Sequence, residues 1–181
     1  MDEEEKRKIC NERNQVLIET VELIKKNGFP VENVSAGGSN TYYITGLCPG
    51  ITDIQVGSYV TMDDWNKKFR LDFGQAVTVL TTVISRPEKK RVVTDAGVKA
   101  ISSDHGIPRI RNHEGITIET LNEEHGKLVL DDPFSKINAG DILEMVPSHG
   151  CTTIPLYNRY IAIKDDYVVG EFKIISGGAV Y

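Results

Sequence analysis

Apolar positions recur at helical spacing through the first 27 residues. Cys10, Leu17, Val21 and Ile24 fall on this period with charged residues between them, which predicts one helix over 2–27. The acids Asp2, Glu3, Glu4 and Glu5 suit the positive end of a helix dipole. Lys25 and Lys26 suit the negative end, and Gly28 predicts a left-handed stop. The period then shortens. A strand is expected over 31–34, running into a loop of small and hydroxyl residues from Ser35 to Thr41. A second is expected over 51–56, after the turn Cys48-Pro49-Gly50. A helix, a short strand and then a Gly/Ser/Thr loop is the order met in α/β proteins.

After about residue 75 the pattern becomes β-rich. Strands are expected over 76–85, 91–94, 107–111, 116–121, 127–130, 141–146, 160–163 and 168–174. Many short strands separated by turn signals predict a barrel or sandwich. Pro87 and the run Glu88-Lys89-Lys90-Arg91 predict a solvated hairpin end. The fold class expected is therefore α+β. Residues 1–62 form an incomplete α/β piece and 63–181 an all-β domain. One helix and two short strands do not make a finished α/β unit, because parallel strands are covered on both faces and paired at both edges. The first piece reads as the last part of something larger.

Composition narrows the class. The chain has 181 residues, enough for one domain or two small ones. With 40% hydrophobic and 26% charged residues, disorder and collagen-like readings are excluded. The net charge is −5, from 26 acids and 21 bases, with no basic stripe, which argues against nucleic acid and anionic membranes as partners. No apolar run is long enough for a spanning helix. The acidic start Met1-Asp2-Glu3-Glu4-Glu5 is the opposite of a secretory signal. Cys10, Cys48 and Cys151 are odd in number and widely spaced, which predicts free thiols and a cytoplasmic location.

Three stretches carry candidate chemistry. In the first, Gly37 and Gly38 let the backbone approach an anion, and consecutive N–H groups with the hydroxyls of Ser39 and Thr41 could cradle a phosphate. The bland alternative is a flexible turn. In the second, Ser148-His149-Gly150-Cys151-Thr152-Thr153, an extended backbone would turn His149 and Cys151 to one side. Imidazole and thiolate together suit zinc, with water or substrate completing the shell. The alternative is a buried cysteine and a hydrogen-bonded histidine that happen to be neighbours. The third runs from Asp95-Ala96-Gly97-Val98-Lys99 to Ser102-Ser103-Asp104-His105 and taken alone reads as a charged turn. Trp65 reads as structural, and His113 and His125 carry no pattern.

Taken in order, these motifs resemble one family: the pyridoxal-phosphate enzymes of alanine-racemase-like fold, in the D-threonine aldolase and D-serine dehydratase group. Val34-Ser35-Ala36-Gly37-Gly38-Ser39-Asn40-Thr41 resembles the family's phosphate loop. Gly50 to Val60, including Gly57-Ser58-Tyr59, resembles the segment joining its barrel to its β-domain. Asp95-Ala96-Gly97 through Asp104 resembles its D-x-G-x-K stretch. Pro147-Ser148-His149-Gly150-Cys151-Thr152-Thr153 resembles its metal motif.

The resemblance implies a C-terminal remnant of a (β/α)8 barrel followed by a barrel-like β-domain. It implies that Gly37, Gly38, Ser39, Asn40 and Thr41 hold the phosphate of pyridoxal 5′-phosphate, with Tyr59 nearby. It implies that His149 and Cys151 bind Zn2+ or Mn2+. The reaction implied is retro-aldol cleavage or dehydration of a β-hydroxy D-amino acid such as D-threonine or D-serine. Racemisation on the same fold is a further possibility. The family's Schiff-base lysine lies on the first barrel strand, and none of Lys6, Lys8, Lys25 and Lys26 is in such a setting. The chain alone is therefore expected to be inactive, and to act as a homodimer or with a missing barrel half. The rival reading is a non-catalytic zinc-binding β-module. Gly177-Gly178 stand where family members often carry Arg-Gly.

Overall fold

The computed structural model describes residues 2–69 and 72–175; Gly177 and Gly178 lie outside the described residues. Two compact units are formed, Met1–Val60 and Thr61–Tyr181.

The first unit is dominated by α1 (Glu3–Lys26). Asp2 caps it, its Oδ1 accepting the Glu5 N–H at 2.8 Å. At the far end Gly28 has φ +87° and donates its N–H to Lys25, while the Phe29 N–H reaches Ile24. These two bonds make a Schellman stop, which needs the left-handed glycine. The inner stripe is Cys10, Asn14, Leu17, Ile18 and Val21. Ile24, assigned to that stripe by its spacing, is 39% exposed at the helix end. Ile18 packs on the Cys48-Pro49-Gly50 turn. A Cβ on Gly50 would sit 2.8 Å from Ile18 Cδ1.

Two short parallel strands follow, β1 (Ser35–Ala36) and β2 (Asp53–Ile54), with Ser35 opposite Asp53. The expected strands were longer and, for the first, earlier: residues 31–34 are not strand. The reason lies at Val34. Its N–H donates to the Thr52 hydroxyl at 2.8 Å, and its carbonyl accepts from the Thr52 and Asp53 N–H groups. A side chain replaces the ladder there, so regular pairing begins only at Ser35.

The second unit opens with a helical turn, α2 being the turn Tyr42–Thr45 of the first unit and α3 the turn Asp64–Lys67 of the second. Six antiparallel strands then make one sheet: β3 (Val79–Glu88), β4 (Arg91–Thr94), β5 (Arg109–Ile110), β6 (Ile116–Leu121), β7 (Gly126–Leu130) and β8 (Ile142–Val146). The order is β5-β8-β3-β4-β7-β6, and the end strands β5 and β6 lie beside each other, so the sheet curls into a nearly closed barrel. Alternation builds it. Val79, Thr81 and Val83 of β3 face inward while Leu80 and Ile84 face out. Val92, Ile110, Ile118, Leu128, Leu130, Leu143 and Met145 complete the core. Gly126 is obligatory inside it, since a Cβ would lie 2.7 Å from Thr94 Oγ1. After the turn α4 (Gly150–Thr153), β9 (Arg159–Lys164) and β10 (Tyr167–Lys173) form a separate hairpin. Among the described residues no helix is long and apolar enough to cross a membrane.

Candidate functional site

The first candidate site is the loop after β1. Gly37 has φ +73°, and a Cβ there would press on the Thr45 side chain at 3.0 Å, so both its conformation and its contacts call for glycine. A Cβ on Gly38 would meet only the Gln55 carbonyl, at 3.7 Å. The loop closes on itself: Gly38 N–H donates to Thr41 Oγ1, and Thr41 N–H to the Gly38 carbonyl. The buried Ser39 hydroxyl accepts the N–H groups of Gly57 at 3.3 Å and Tyr59 at 3.1 Å. That bond holds the Tyr59 segment against the loop. Ser39 and Thr41 thus use their oxygens as acceptors, and each keeps its own hydroxyl proton to donate. Asn40 is half-buried in the same turn. A loop of small residues with hydroxyl donors fits a phosphate.

The second site lies in the β-domain, where β8 runs out at Val146. His149 has an extended backbone, but Gly150 to Thr153 turn into α4, so Cys151 sits in a helical turn and not in the extended segment that the alternation argument assumed. Its thiol is exposed. His149 is only 18% exposed at its side chain, and its Nδ1 lies 2.8 Å from Asp104 Oδ2. Asp104, His105 and His149 offer ligand atoms within 4.8 Å of one another, and Cys151 stands outside that group. The His105 ring stacks on His149 at 3.9 Å between centroids, 2° from parallel. Trp65 is next in the row, 5.1 Å from His105 and 5.6 Å from Phe69. Sequence reasoning placed Trp65 with the structural residues. Its position beside His105, 38% exposed, makes it a wall of this site.

Three acidic residues shape the ground around His149. Asp63 is buried and caps α3, its Oδ1 accepting from Asn66 N and Nδ2 and its Oδ2 from the Gly150 N–H. Asp64 N–H and Trp65 N–H donate to the carbonyls of Pro147 and Ser148, and the Asp64 carboxylate pairs with Arg109. Asp104 accepts from the Ser102 and Thr152 hydroxyls. The His149 hydrogen bond, aided by those hydroxyls, holds its carboxyl far below the usual carboxylate range. The signal of the role of Asp63 was its N-cap pattern with Asn66 three residues on.

The third stretch divides in two. Asp95 and Gly97 are structural: Asp95 bonds Thr81 and Thr82, and a Cβ on Gly97 would lie 2.3 Å from the Asn122 carbonyl. Lys99 pairs with Glu124 on the surface. Asp104 and His105, which alone read as a charged turn, belong to the site. His113 and His125 are exposed and apart from it.

Residues 76–163 match the family described as "Putative serine dehydratase domain". The chain is 28% identical to the D-threonine aldolase of an Arthrobacter species over 181 residues, covering 97% of this chain and 47% of that one. It is 25% identical to the D-threo-3-hydroxyaspartate dehydratase of Delftia, covering 88% of this chain and 48% of that one, and the crystal structure of that enzyme superposes with a TM-score of 0.82. The D-threonine aldolase of Filomicrobium marinum superposes with a TM-score of 0.90 at 24% identity, over 98% of this chain and 49% of that one, which fixes the fold. The chain therefore spans about half the length of the curated relatives it matches. The chain belongs to the D-threonine aldolase and D-serine dehydratase-like family and corresponds to the C-terminal portion of its members.

Proposed function

We propose that the chain supplies the metal site and part of the cofactor-phosphate site of a pyridoxal-phosphate-dependent lyase acting on β-hydroxy D-amino acids. The observation that carries this reading is the half-buried His149 at the head of α4, its Nδ1 engaged by Asp104. Cys151, two positions on, supplies a thiolate from the same turn. Imidazole and thiolate suit Zn2+, with Mn2+ the second choice. Solved structures of D-threo-3-hydroxyaspartate dehydratase include one variant lacking a histidine and one, in a metal-free form, lacking a cysteine two positions further on. That spacing supports His149 and Cys151 as the pair.

The residues present fit both groups. Gly37, Gly38, Ser39, Asn40 and Thr41 would hold the phosphate, with the Ser39 and Thr41 hydroxyls donating and Tyr59 kept close by the Ser39 bond. The cofactor, when bound, supplies the electron sink for the substrate carbanion. His149 and Cys151 would hold the divalent ion, which polarises the substrate β-hydroxyl. That polarisation serves retro-aldol cleavage and β-elimination alike. Trp65 and His105 wall one side of the site. All lysines of residues 1–60 lie on α1, so no strand of the first unit carries the lysine that anchors the cofactor. In this reading the anchoring lysine is supplied from outside these residues, and the chain works as a homodimer or with a separately supplied barrel half. Exposed Ile161, Ile163 and Val168, on one face of the β9–β10 hairpin, favour a second copy covering that face.

The test is metal content together with cofactor trapping on the purified chain. About one Zn2+ or Mn2+ per chain, abolished by His149→Ala, and no borohydride-trapped adduct are expected. Retained metal in His149→Ala would remove the assignment, and a trapped lysine would show a self-sufficient enzyme. In the complete enzyme Gly38→Val should weaken cofactor binding. The loop has room for a Cβ there, so unchanged affinity would make it only a turn.

A further inference from the structure

We propose that Asp104 is a positioning residue that fixes His149 as the Nδ1–H tautomer, so that Nε2 is the nitrogen left to take a ligand. The inference deepens the metal reading given above for His149. The two ring nitrogens of a neutral imidazole are chemically distinct, and the partner of one decides what the other does. An ionised carboxylate only accepts. At 2.8 Å from Asp104 Oδ2, Nδ1 therefore carries the proton, and the lone pair is on Nε2.

Asp104 is built to hold this position. Its Oδ1 accepts the Ser102 hydroxyl at 2.7 Å and the Thr152 hydroxyl at 3.0 Å, which leaves Oδ2 for His149. Its own N–H donates back to Ser102 Oγ. Ser102 is in turn tied to the His149 turn twice: its N–H donates to Thr153 Oγ1, and its carbonyl accepts the Ser148 hydroxyl. The loop that carries Asp104 and the turn that carries His149 are laced together on both sides of the pair.

The stack with His105 separates support from ligation. Lone pairs of an imidazole lie in its ring plane. Two rings parallel within 2° and 3.9 Å apart cannot both aim such a pair at one ion. The three-residue cluster is therefore one ligand, His149, with a carboxylate behind it and a ring over it.

The experiment is long-range 1H–15N correlation on the 15N-histidine-labelled chain without metal at pH 8, with His149 identified by the loss of its signals in His149→Ala. Wild type should show Nδ1 protonated. Asp104→Ala should move His149 toward the Nε2–H form that a free histidine side chain prefers, leaving His113 and His125 unchanged. Asp104→Leu, which keeps about the size of the side chain and has no acceptor, serves if Asp104→Ala does not fold. Zn2+ titration of the same samples should show binding weakened about 10- to 100-fold. A wild-type Nε2–H form, or a tautomer unmoved in both variants, would overturn the proposal even if Zn2+ affinity fell, because the loss would then be structural. A tautomer that moves as expected in a chain that binds no Zn2+ would support the positioning role and remove the metal reading instead.

Discussion

The Gly150 N–H donates to Asp63 Oδ2 at 2.8 Å, joining residues 87 positions apart. Asp63 is the N-cap of α3, and Gly150 opens α4, directly after His149. One buried carboxylate thus satisfies an N–H group in each of two helical turns. It also places the backbone from which His149 projects.

Asp63→Ala would leave the Gly150 and Asn66 N–H groups buried without an acceptor. A loss of about 1–3 kcal/mol is expected. It should appear as a lower urea midpoint, with weaker Zn2+ binding as a second consequence. A variant as stable as wild type would mean that water or a shifted backbone replaces the carboxylate.

Gly97 makes the opposite kind of demand, for the absence of an atom. Its N-terminal neighbour Ala96 is in the core, and the Val98 and Lys99 N–H groups bond the Asn122 and Glu123 carbonyls. A Cβ on Gly97 would be 2.3 Å from the Asn122 oxygen and 2.4 Å from the Glu123 oxygen. Both are backbone atoms and cannot swing away. Gly97→Ala should destabilise by about 1–3 kcal/mol or more, whereas Lys99→Ala, which removes only an exposed ion pair, should leave the urea midpoint nearly unchanged. Equal effects in chemical denaturation would contradict the packing argument.

The β-domain was legible because alternation along β3, β6, β7 and β8 is strong and each strand ends at a turn signal; β4 and β6 match their expected limits residue for residue. The first unit was less so. A two-residue parallel strand has no room for a period, and the bond from Val34 to the Thr52 hydroxyl is a long-range event with no local signature. At the site, His149 was visible through its motif. Asp104 and His105 were not, because a charged loop and a site loop have the same composition. Only the fold brings residues 104 and 149 within a hydrogen bond. The helical turn at Cys151 was missed for a similar reason. It is set by Asp63 holding Gly150, not by the propensities of Gly150-Cys151-Thr152-Thr153.

Arg86 shows how a single cation can organise a loop. Its guanidinium donates to the carbonyls of Lys89, Pro133, Ser135 and Ile137 at 2.6 to 3.1 Å. These acceptors belong to the β3–β4 turn and to the loop before β8. Arg86→Ala should cost about 2 kcal/mol and speed amide exchange in residues 133–138. Arg86→Lys should recover little, since a point ammonium cannot serve four carbonyls with the geometry of a planar fork. Full recovery by lysine would show that charge, not the fork, is what the loop requires.

Asp95 gives the barrel a pH dependence. Partial burial pushes its carboxyl upward, but the Thr82 N–H and the Thr81 hydroxyl, both at 2.8 Å from Oδ1, outweigh that effect and set it below its ordinary value. The folded state thus binds this proton less readily than the unfolded chain. Such a group contributes stability that is fully present above the unfolded value, about 3.9, and is lost as pH falls through the folded one. Asp95→Asn should therefore be less stable than wild type at pH 7. The exposed position of Asp95 limits the difference to about 1 kcal/mol. The gap should narrow below the unfolded value and close only as pH falls through the lower folded one, where wild type too carries a neutral side chain in both states. Urea unfolding of both proteins at pH 7, 5 and 3 measures it. A gap that stays constant with pH would show that the hydrogen bonds do not distinguish the charged from the neutral side chain, and the assigned cause of the shift would be wrong.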